Sequence, residues 1–164
     1  MQLIREEKIN KIIKKQSDWQ FNVSDEGFYL IEISARAKSW WQNTIQLRSF
    51  LKDDDLAVKI DGIDFPKLDG RRGLFDGEIA WNGNNLAGLK KTDVFLMNLK
   101  PGNHIVQFLA DQKPIFESIK IYRIQNQEKI SYLPKDNNPA EDGNRRQWLT
   151  IILVNEPLDH LLIS

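Results

Sequence analysis

The middle of the chain, residues 18–124, consists mainly of short apolar segments separated by turn-forming residues. In the first segment Trp19, Phe21 and Val23 alternate with polar residues, which predicts a strand with one buried face. After an Asp-Glu-Gly turn, a longer apolar run at 28–37 predicts a second strand. The short connection favours pairing of these two strands as a β-hairpin.

Later apolar runs repeat this pattern. Further strands are predicted at 56–60, 63–65, 78–81, 92–99, 104–110 and 115–124. Gly, Pro and Asn turns separate them, and an Asn-Gly pair after Trp81 favours a tight hairpin. Short strands that recur at a spacing of about 8–12 residues are typical of antiparallel sandwiches and barrels. The sequence therefore predicts a mainly β fold, with an antiparallel β-sandwich module over 17–124.

The N-terminal segment, residues 1–16, has a different period. Ile9, Ile12 and Ile13 recur at helical spacing, and Glu and Lys occupy most other positions. Glu residues that precede Lys residues also suit the helix dipole. We predict an amphipathic α-helix over 1–16 that caps one end of the core. A helix that binds a membrane surface or a partner is the alternative.

The C-terminal part, residues 125–164, changes composition again. It begins with a polar stretch that predicts a linker or a long surface loop. Two apolar segments, 148–154 and 158–163, then flank an Asn-Glu-Pro turn and predict a terminal β-hairpin. This hairpin either extends the sandwich or starts a second domain. Because an exposed terminal strand can pair with another chain, a neighbouring domain or a homodimer is an expected partner.

The composition narrows the functional classes. The chain contains no cysteine and two histidines, which excludes disulfides, thiolate metal sites and cysteine nucleophiles. His104 follows a turn at a strand start and is interpreted as a structural residue, and His160 has no companion. No motif pairs two carboxylates or joins a nucleophile to a base. We therefore expect no enzymatic activity from this chain.

Charge and hydropathy limit the partners and the cellular locations that we expect for the chain. Lys plus Arg and Asp plus Glu each number 23, so the chain has no net charge with which to attract nucleic acid. The N-terminus lacks the apolar core of a secretion signal, and no run approaches the roughly 20 apolar residues of a membrane span. We expect no nucleic-acid partner, no membrane span and, by default, a cytoplasmic location.

Three patterns within 27–124 carry a family resemblance. They are a strand that leads to an Arg (YLIEISARAK), a strand that ends in Asp-Gly (LAVKIDG), and a late strand pair of the form LKPGNHIVQF followed by FESIKIYRI. In these patterns the segment resembles carbohydrate-binding modules of the galactose-binding-like jelly-roll type. The resemblance implies a sugar-binding module appended to a glycan-processing enzyme, often with a structural calcium ion. It places Glu117 at the last-strand calcium position, although the early Glu-x-Glu of that group is absent here.

Two clusters combine aromatic rings with amides, which is the chemistry of sugar recognition: flat rings contact the C–H face of a sugar, and amides bond its hydroxyls. The candidate ligand-binding residues, with two arginines from the loop between the clusters, are Trp40, Trp41, Gln42, Asn43, Arg71, Arg72, Trp81, Asn82, Asn84 and Asn85. Adjacent Trp40 and Trp41 cannot both point inward from an extended strand, so one is expected to be exposed. The run Asp53-Asp54-Asp55 could chelate calcium, but a solvated acidic loop is the simpler interpretation.

These patterns lead to two hypotheses of different kinds. The first is a non-catalytic module that binds a glycan or positions a neighbouring catalytic domain on it, with no cofactor except the structural calcium. The second is a structural or protein–protein interaction domain that has no sugar ligand.

Overall fold

The computed structural model describes residues 1–63, 73–75 and 79–125, together with the backbone of short strands at 129–130, 152–154 and 162–163. The first eight strands are β1 (Gln2–Ile12), β2 (Gln16–Val23), β3 (Gly27–Arg36), β4 (Asp55–Ile60), β5 (Trp81–Asn82), β6 (Lys90–Leu99), β7 (Gly102–Ala110) and β8 (Ile115–Arg123). The two helices are α1 (Trp40–Ile45) and α2 (Gly83–Leu86). Three short strands follow, β9 (Lys129–Ile130), β10 (Ile152–Val154) and β11 (Leu162–Ile163). The predicted mainly β fold is confirmed.

The strands form two large sheets. Sheet 1 has the order β1-β8-β3-β6-β10, and sheet 2 has the order β2-β7-β4-β5. All neighbours in both sheets are antiparallel except β10, which runs parallel to β6. The described parts of the predicted terminal hairpin therefore pair elsewhere: β10 joins sheet 1, and β11 pairs in parallel with β9.

One hydrophobic core lies between the two sheets. Apolar side chains of both sheets form a single buried cluster. Sheet 1 contributes Tyr29, Ile31, Ile33, Phe95, Met97, Phe116, Ile119 and Ile121, and sheet 2 contributes Phe21, Val23, Leu56, Val58, Ile60, Trp81, Val106 and Phe108. The rings of Phe108 and Phe116 meet across the layers with centroids 4.3 Å apart. Two sheets that share their inner faces in this way form a sandwich-like arrangement.

The predicted N-terminal helix is wrong, because the segment forms strand β1. Its residues alternate in exposure, with Arg5, Glu7 and Ile9 half-buried and their neighbours exposed. Pairing with β8 satisfies the backbone of β1, and Trp19 Nε1 donates to Glu7 Oε2 at 2.9 Å. A helix this short has little stability of its own, so strand pairing overrides the local helical pattern.

The predicted hairpin between the first two strands is also wrong. Strand β2 pairs with β7 in sheet 2, whereas β3 pairs with β6 and β8 in sheet 1. The chain changes sheet at every connection from β1 to β8 except that between β4 and β5. The Asn-Gly pair after Trp81 likewise does not form a hairpin turn, since it begins helix α2, where Asn82 is the N-cap.

A second, smaller apolar cluster lies on the other face of sheet 1. Leu30, Val94, Leu96 and Ile124 are buried there, and Phe28 and Tyr122 pack against them. Both faces of sheet 1 therefore carry buried apolar residues. No helix of the described residues is long and apolar enough to cross a membrane.

Candidate functional site

An exposed apolar segment follows strand β3. We call residues 40–51, which comprise α1 and the turns after it, the apolar loop. Large hydrophobic side chains protrude from it, with Trp41 57%, Leu47 94% and Phe50 78% exposed. The other exposed members are Trp40, Ile45 and Leu51. Large exposed apolar side chains concentrated in one segment often mark a binding surface.

The short helix α1 sets the direction of the two tryptophans. Ser39 and Gln42 form a capping box in which each side chain accepts a hydrogen bond from the other residue's backbone N–H. The rings of Trp40 and Trp41 meet edge to face with centroids 5.5 Å apart. The sequence argument assumed an extended strand and expected one of the two rings to be exposed. Because both residues lie on a helix, both rings are exposed.

Buried polar groups hold the apolar loop against the body of the sandwich. Asn43 is fully buried, and its Nδ2 donates to Lys52 O at 3.1 Å and to Asp54 Oδ1 at 3.0 Å. The same Asp54 oxygen accepts from the Lys113 backbone N–H at 3.0 Å. Asp54 therefore ties the loop to the β7–β8 turn.

A second set of contacts joins the same two segments. Arg48 donates to Lys113 O at 2.7 Å, and Lys113 Nζ donates to Arg48 O at 2.9 Å. Ser49 donates to Gln112 Oε1 at 3.1 Å. The apolar side chains thus project from a fixed polar base.

Two of the exposed residues adopt backbone conformations that disfavour branched side chains. Leu47 and Leu51 have φ values of 53° and 56°, in the left-handed region. Residues other than glycine rarely occupy this region, which costs on the order of 1–3 kcal/mol each, and such strain is concentrated at functional sites.

The amides predicted to bond a ligand are largely engaged within the protein. Gln42 Nε2 donates to Ala87 O at 2.9 Å, and Asn84 Oδ1 accepts from the Trp40 backbone N–H at 3.2 Å. Asn82 caps α2 by accepting from the Asn85 backbone N–H at 3.0 Å. The structure thus brings the two predicted clusters together, since Asn84 of α2 touches Trp40 of α1.

The predicted residue Trp81 lies elsewhere. Its side chain is completely buried in the core, and its Nε1 donates to Lys91 O at 2.8 Å. The ring therefore has no face available for stacking against a ligand, and we leave it out of the site. The predicted Arg71 and Arg72 lie outside the described residues.

The predicted metal residue Glu117 lies on β8, far from the apolar loop in sequence. Its carboxylate forms an ion pair with Arg36 Nε. Arg36 also donates to Gly88 O at 3.1 Å. Glu117 is therefore held by a guanidinium group.

A different acidic group could hold a cation such as Ca²⁺. One carboxylate oxygen from each of Asp53, Asp55 and Asp111 lies within 4.8 Å of the others. Asp55 Oδ1 also accepts from the Gly83 backbone N–H at 2.9 Å, and Asp111 Oδ1 accepts from the Asp55 backbone N–H at 2.7 Å. Burial raises the pKa of Asp111, and hydrogen bonds from backbone N–H groups oppose this effect. These bonds alone explain much of the clustering.

The histidine at the start of β7 has a structural environment, in line with its interpretation from the sequence. His104 Nδ1 lies 2.6 Å from Asp61 Oδ2, and Nε2 lies 2.8 Å from Lys100 O. Its ring packs against Phe21 with centroids 5.3 Å apart. Because both ring nitrogens are engaged, neither faces solvent as a base.

Sequence reasoning missed the part of the apolar loop that follows the two tryptophans. The segment between the strands predicted at 28–37 and 56–60 is assigned no strand by its pattern, and α1 forms within it. Within that segment Ile45, Leu47, Phe50 and Leu51 follow neither helical nor strand periodicity. The signal that could have revealed them is a set of apolar residues with no regular spacing between two predicted strands. Such residues have no helix or strand face through which to reach the core.

Comparison with known proteins adds no family. No protein-family model matches the chain, and no curated protein matches it at a significant level.

Proposed function

We propose that this chain is a non-catalytic binding module that attaches to a carbohydrate through the apolar loop, and serves as an accessory to a larger protein. The observation that carries the proposal is the exposed Trp40–Trp41 pair on a loop held by buried polar contacts. A loop fixed before binding loses little conformational entropy when it engages a ligand. Indole rings offer large flat apolar faces of the kind that stack on the C–H face of a sugar.

The engaged amides influence the type of carbohydrate. Gln42 and Asn43 bond within the protein, so few polar groups near the Trp pair remain for sugar hydroxyls. The large apolar side chains of the loop are also exposed to solvent, Leu47 to 94% and Phe50 to 78%. Both features favour the flat apolar face of a polysaccharide over a single chain bound by hydrogen bonds.

The finer assignment, to a galactose-binding-like jelly roll, is also part of the proposal, and the strand order supports only its jelly-roll part. The first eight strands lie in the orders 1-8-3-6 and 2-7-4-5, with β10 beside β6, and repeated crossing between sheets favours a jelly roll. The assignment to carbohydrate-binding modules also rests on the sequence patterns of 27–124. A structural calcium ion is part of the proposal only through the resemblance of residues 27–124 to carbohydrate-binding modules, because a cluster of carboxylates is not itself evidence of a bound ion.

A second candidate function is attachment to another protein. Leu47, Phe50 and Ile45 are the most exposed large apolar residues of the loop, and the aliphatic side chains of Leu47 and Ile45 have no flat ring with which to stack on a sugar. In this case the whole apolar loop would be covered by a neighbouring domain or subunit.

Affinity electrophoresis through gels that contain neutral polysaccharides separates the two candidates. Wild type is compared with Trp40→Ala/Trp41→Ala and with Ile45→Ser/Leu47→Ser, which remove an equal number of exposed apolar side chains from the same loop. Carbohydrate binding predicts that the Trp variant loses retardation and the aliphatic variant keeps most of it. Unchanged wild-type mobility on every polysaccharide would refute it. Parallel gels with calcium or a chelator test the cation.

A further inference from the structure

A polar cleft lies on the outer face of sheet 1, and none of its lining residues belongs to the apolar loop. Its volume is about 290 Å³, at the lower end of the range of small-molecule sites. Side chains from β1, β6 and β8 line it: Glu6, Lys8, Asn10, Lys90, Glu117, Ser118 and Lys120. The side chains that flank these on β8, Phe116 and Ile119, point into the core.

Two register shifts meet in this cleft. Relative to β3, strand β8 carries one extra residue, since Ser34 pairs with Ser118 and Ala35 with Phe116. Glu117 is that extra residue. The bulge allows both Glu117 and Ser118 to line the same cleft, whereas neighbours on a regular strand face opposite sides.

The edge strand β1 has its own irregularity at the same level. Lys8 pairs with Ser118 and Lys11 with Phe116, so β1 has one residue more than β8 between these pairs. Within this shift Asn10 adopts a left-handed φ of 49°. Bulges are often found where a sheet re-aims side chains toward a ligand.

The side chains that line the cleft include one more cation than anions. Three ammonium groups face two carboxylates, and the Glu117 carboxylate is already neutralised by Arg36. Lys120 Nζ lies 3.9 Å from Glu6 and 3.8 Å from Glu32. Within the described part of the chain Lys8 forms no ion pair, so its ammonium group can receive an anion.

We propose that this cleft is a second binding site, for a sugar residue that carries a carboxylate. The Lys8 ammonium group binds the carboxylate, and the Asn10 amide and Ser118 hydroxyl bond the sugar hydroxyls. The choice of a sugar rests on the proposed function, whereas the preference for an anion rests on the lining of the cleft alone.

The test is isothermal titration of the whole chain with trigalacturonate, with the neutral galactose trisaccharide and with citrate as an anion that is not a sugar. Trigalacturonate is expected to bind best. Lys8→Gln should weaken it about tenfold, the effect of one charge-assisted contact. Glu6→Gln should strengthen it, because it removes a like charge. Lys100→Gln, which changes the same charge at the exposed turn before β7, should change it little.

Several results would overturn the proposal. They are no binding of trigalacturonate, equal binding of the neutral trisaccharide or citrate, or an equal loss in Lys8→Gln and Lys100→Gln. The Trp40→Ala/Trp41→Ala variant distinguishes this site from the apolar loop, since it should bind trigalacturonate as wild type does. Retardation of Lys8→Gln in neutral polysaccharide gels should likewise equal that of wild type.

Discussion

The side-chain amide of Asn43 donates to the carboxylate of Asp54 at 3.0 Å, and both side chains are almost completely buried. This contact joins the base of the apolar loop to the residue that precedes β4. Asp54 also accepts from the Lys113 backbone N–H and lies 3.7 Å from Arg48. Its carboxylate therefore contacts helix α1, the turn after α1 and the β7–β8 turn.

Removal of the Asn43 amide should therefore destabilise the protein. In Asn43→Ala the buried Asp54 carboxylate and the partly buried Lys52 carbonyl each lose a donor, which should lower the free energy of unfolding by about 2 kcal/mol. Urea unfolding followed by circular dichroism measures this. The control Asn22→Ala removes an exposed amide that bonds only Asn103 and should lower the free energy of unfolding by a few tenths of the loss in Asn43→Ala. Equal losses in the two variants would contradict the role assigned to Asn43.

Gly83 at the start of α2 is required by space. A Cβ at this position would collide with the backbone carbonyl oxygens of Lys38 and Asp54. Gly83→Ala should therefore displace α2 from the loop and cost about 2 kcal/mol of unfolding free energy. Gly62→Ala is a matched control, because Gly62 has open space but a φ of 76°, where backbone strain alone costs about 1 kcal/mol. A smaller loss in Gly83→Ala than in Gly62→Ala would contradict the steric account.

The stability of the core should depend on pH through Asp93. Its side chain is completely buried beside Lys91, whose Nζ lies 3.0 Å away, and burial raises the pKa of Asp93 to about 7. An unfolded aspartate has a pKa of about 3.9, so between these values the folded state binds the additional proton. Stability should consequently fall as pH rises from 4 to 7, with a slope of at most about 1.4 kcal/mol per pH unit.

Unfolding midpoints measured at several pH values test this dependence. Asp93→Asn removes the contribution of Asp93 to the pH dependence of stability. The difference in unfolding free energy between wild type and variant should therefore change steadily between pH 4 and 7. The exposed Asp18→Asn variant should follow wild type. A constant difference between wild type and Asp93→Asn across this range would show that Asp93 does not titrate there.

Local patterns predicted most of the strands but not their partners. The alternation of Trp19, Phe21 and Val23 gives β2 its buried face, and the run at 28–37 becomes β3. Their pairing as a hairpin was wrong because a short connection can cross from one sheet to the other as well as turn within a sheet. Alternation specifies which side of a strand is buried, and it contains no information on which strand lies beside it.

The bulge at Glu117 explains an irregular pattern in the sequence. In β8 the run Ile115, Phe116, Glu117, Ser118 does not alternate cleanly, and the inserted residue accounts for the break. The N-terminal strand shows the opposite case. Its isoleucine spacing suits a helix, and only the availability of the β8 edge, a long-range property, makes it a strand.

The candidate site was predicted in part. The sequence directed attention to Trp40 and Trp41, and both are exposed. It also grouped Trp81 with them, since a tryptophan beside asparagines looks the same in sequence whether it faces solvent or the core. Burial depends on the packing of β5 against β4, which one sequence does not reveal.

The central claim is that the Trp40–Trp41 pair attaches the module to a polysaccharide. Adsorption isotherms on insoluble cellulose, chitin and xylan, measured for wild type and for Trp40→Ala/Trp41→Ala, test it most directly. We expect wild type to adsorb to at least one of these polymers, and the variant to adsorb about tenfold or more weakly, the effect of about 1.4 kcal/mol or more of lost stacking, while its unfolding midpoint stays close to that of wild type. Equal adsorption of the two folded proteins, or no adsorption of wild type to any of them, would contradict the claim.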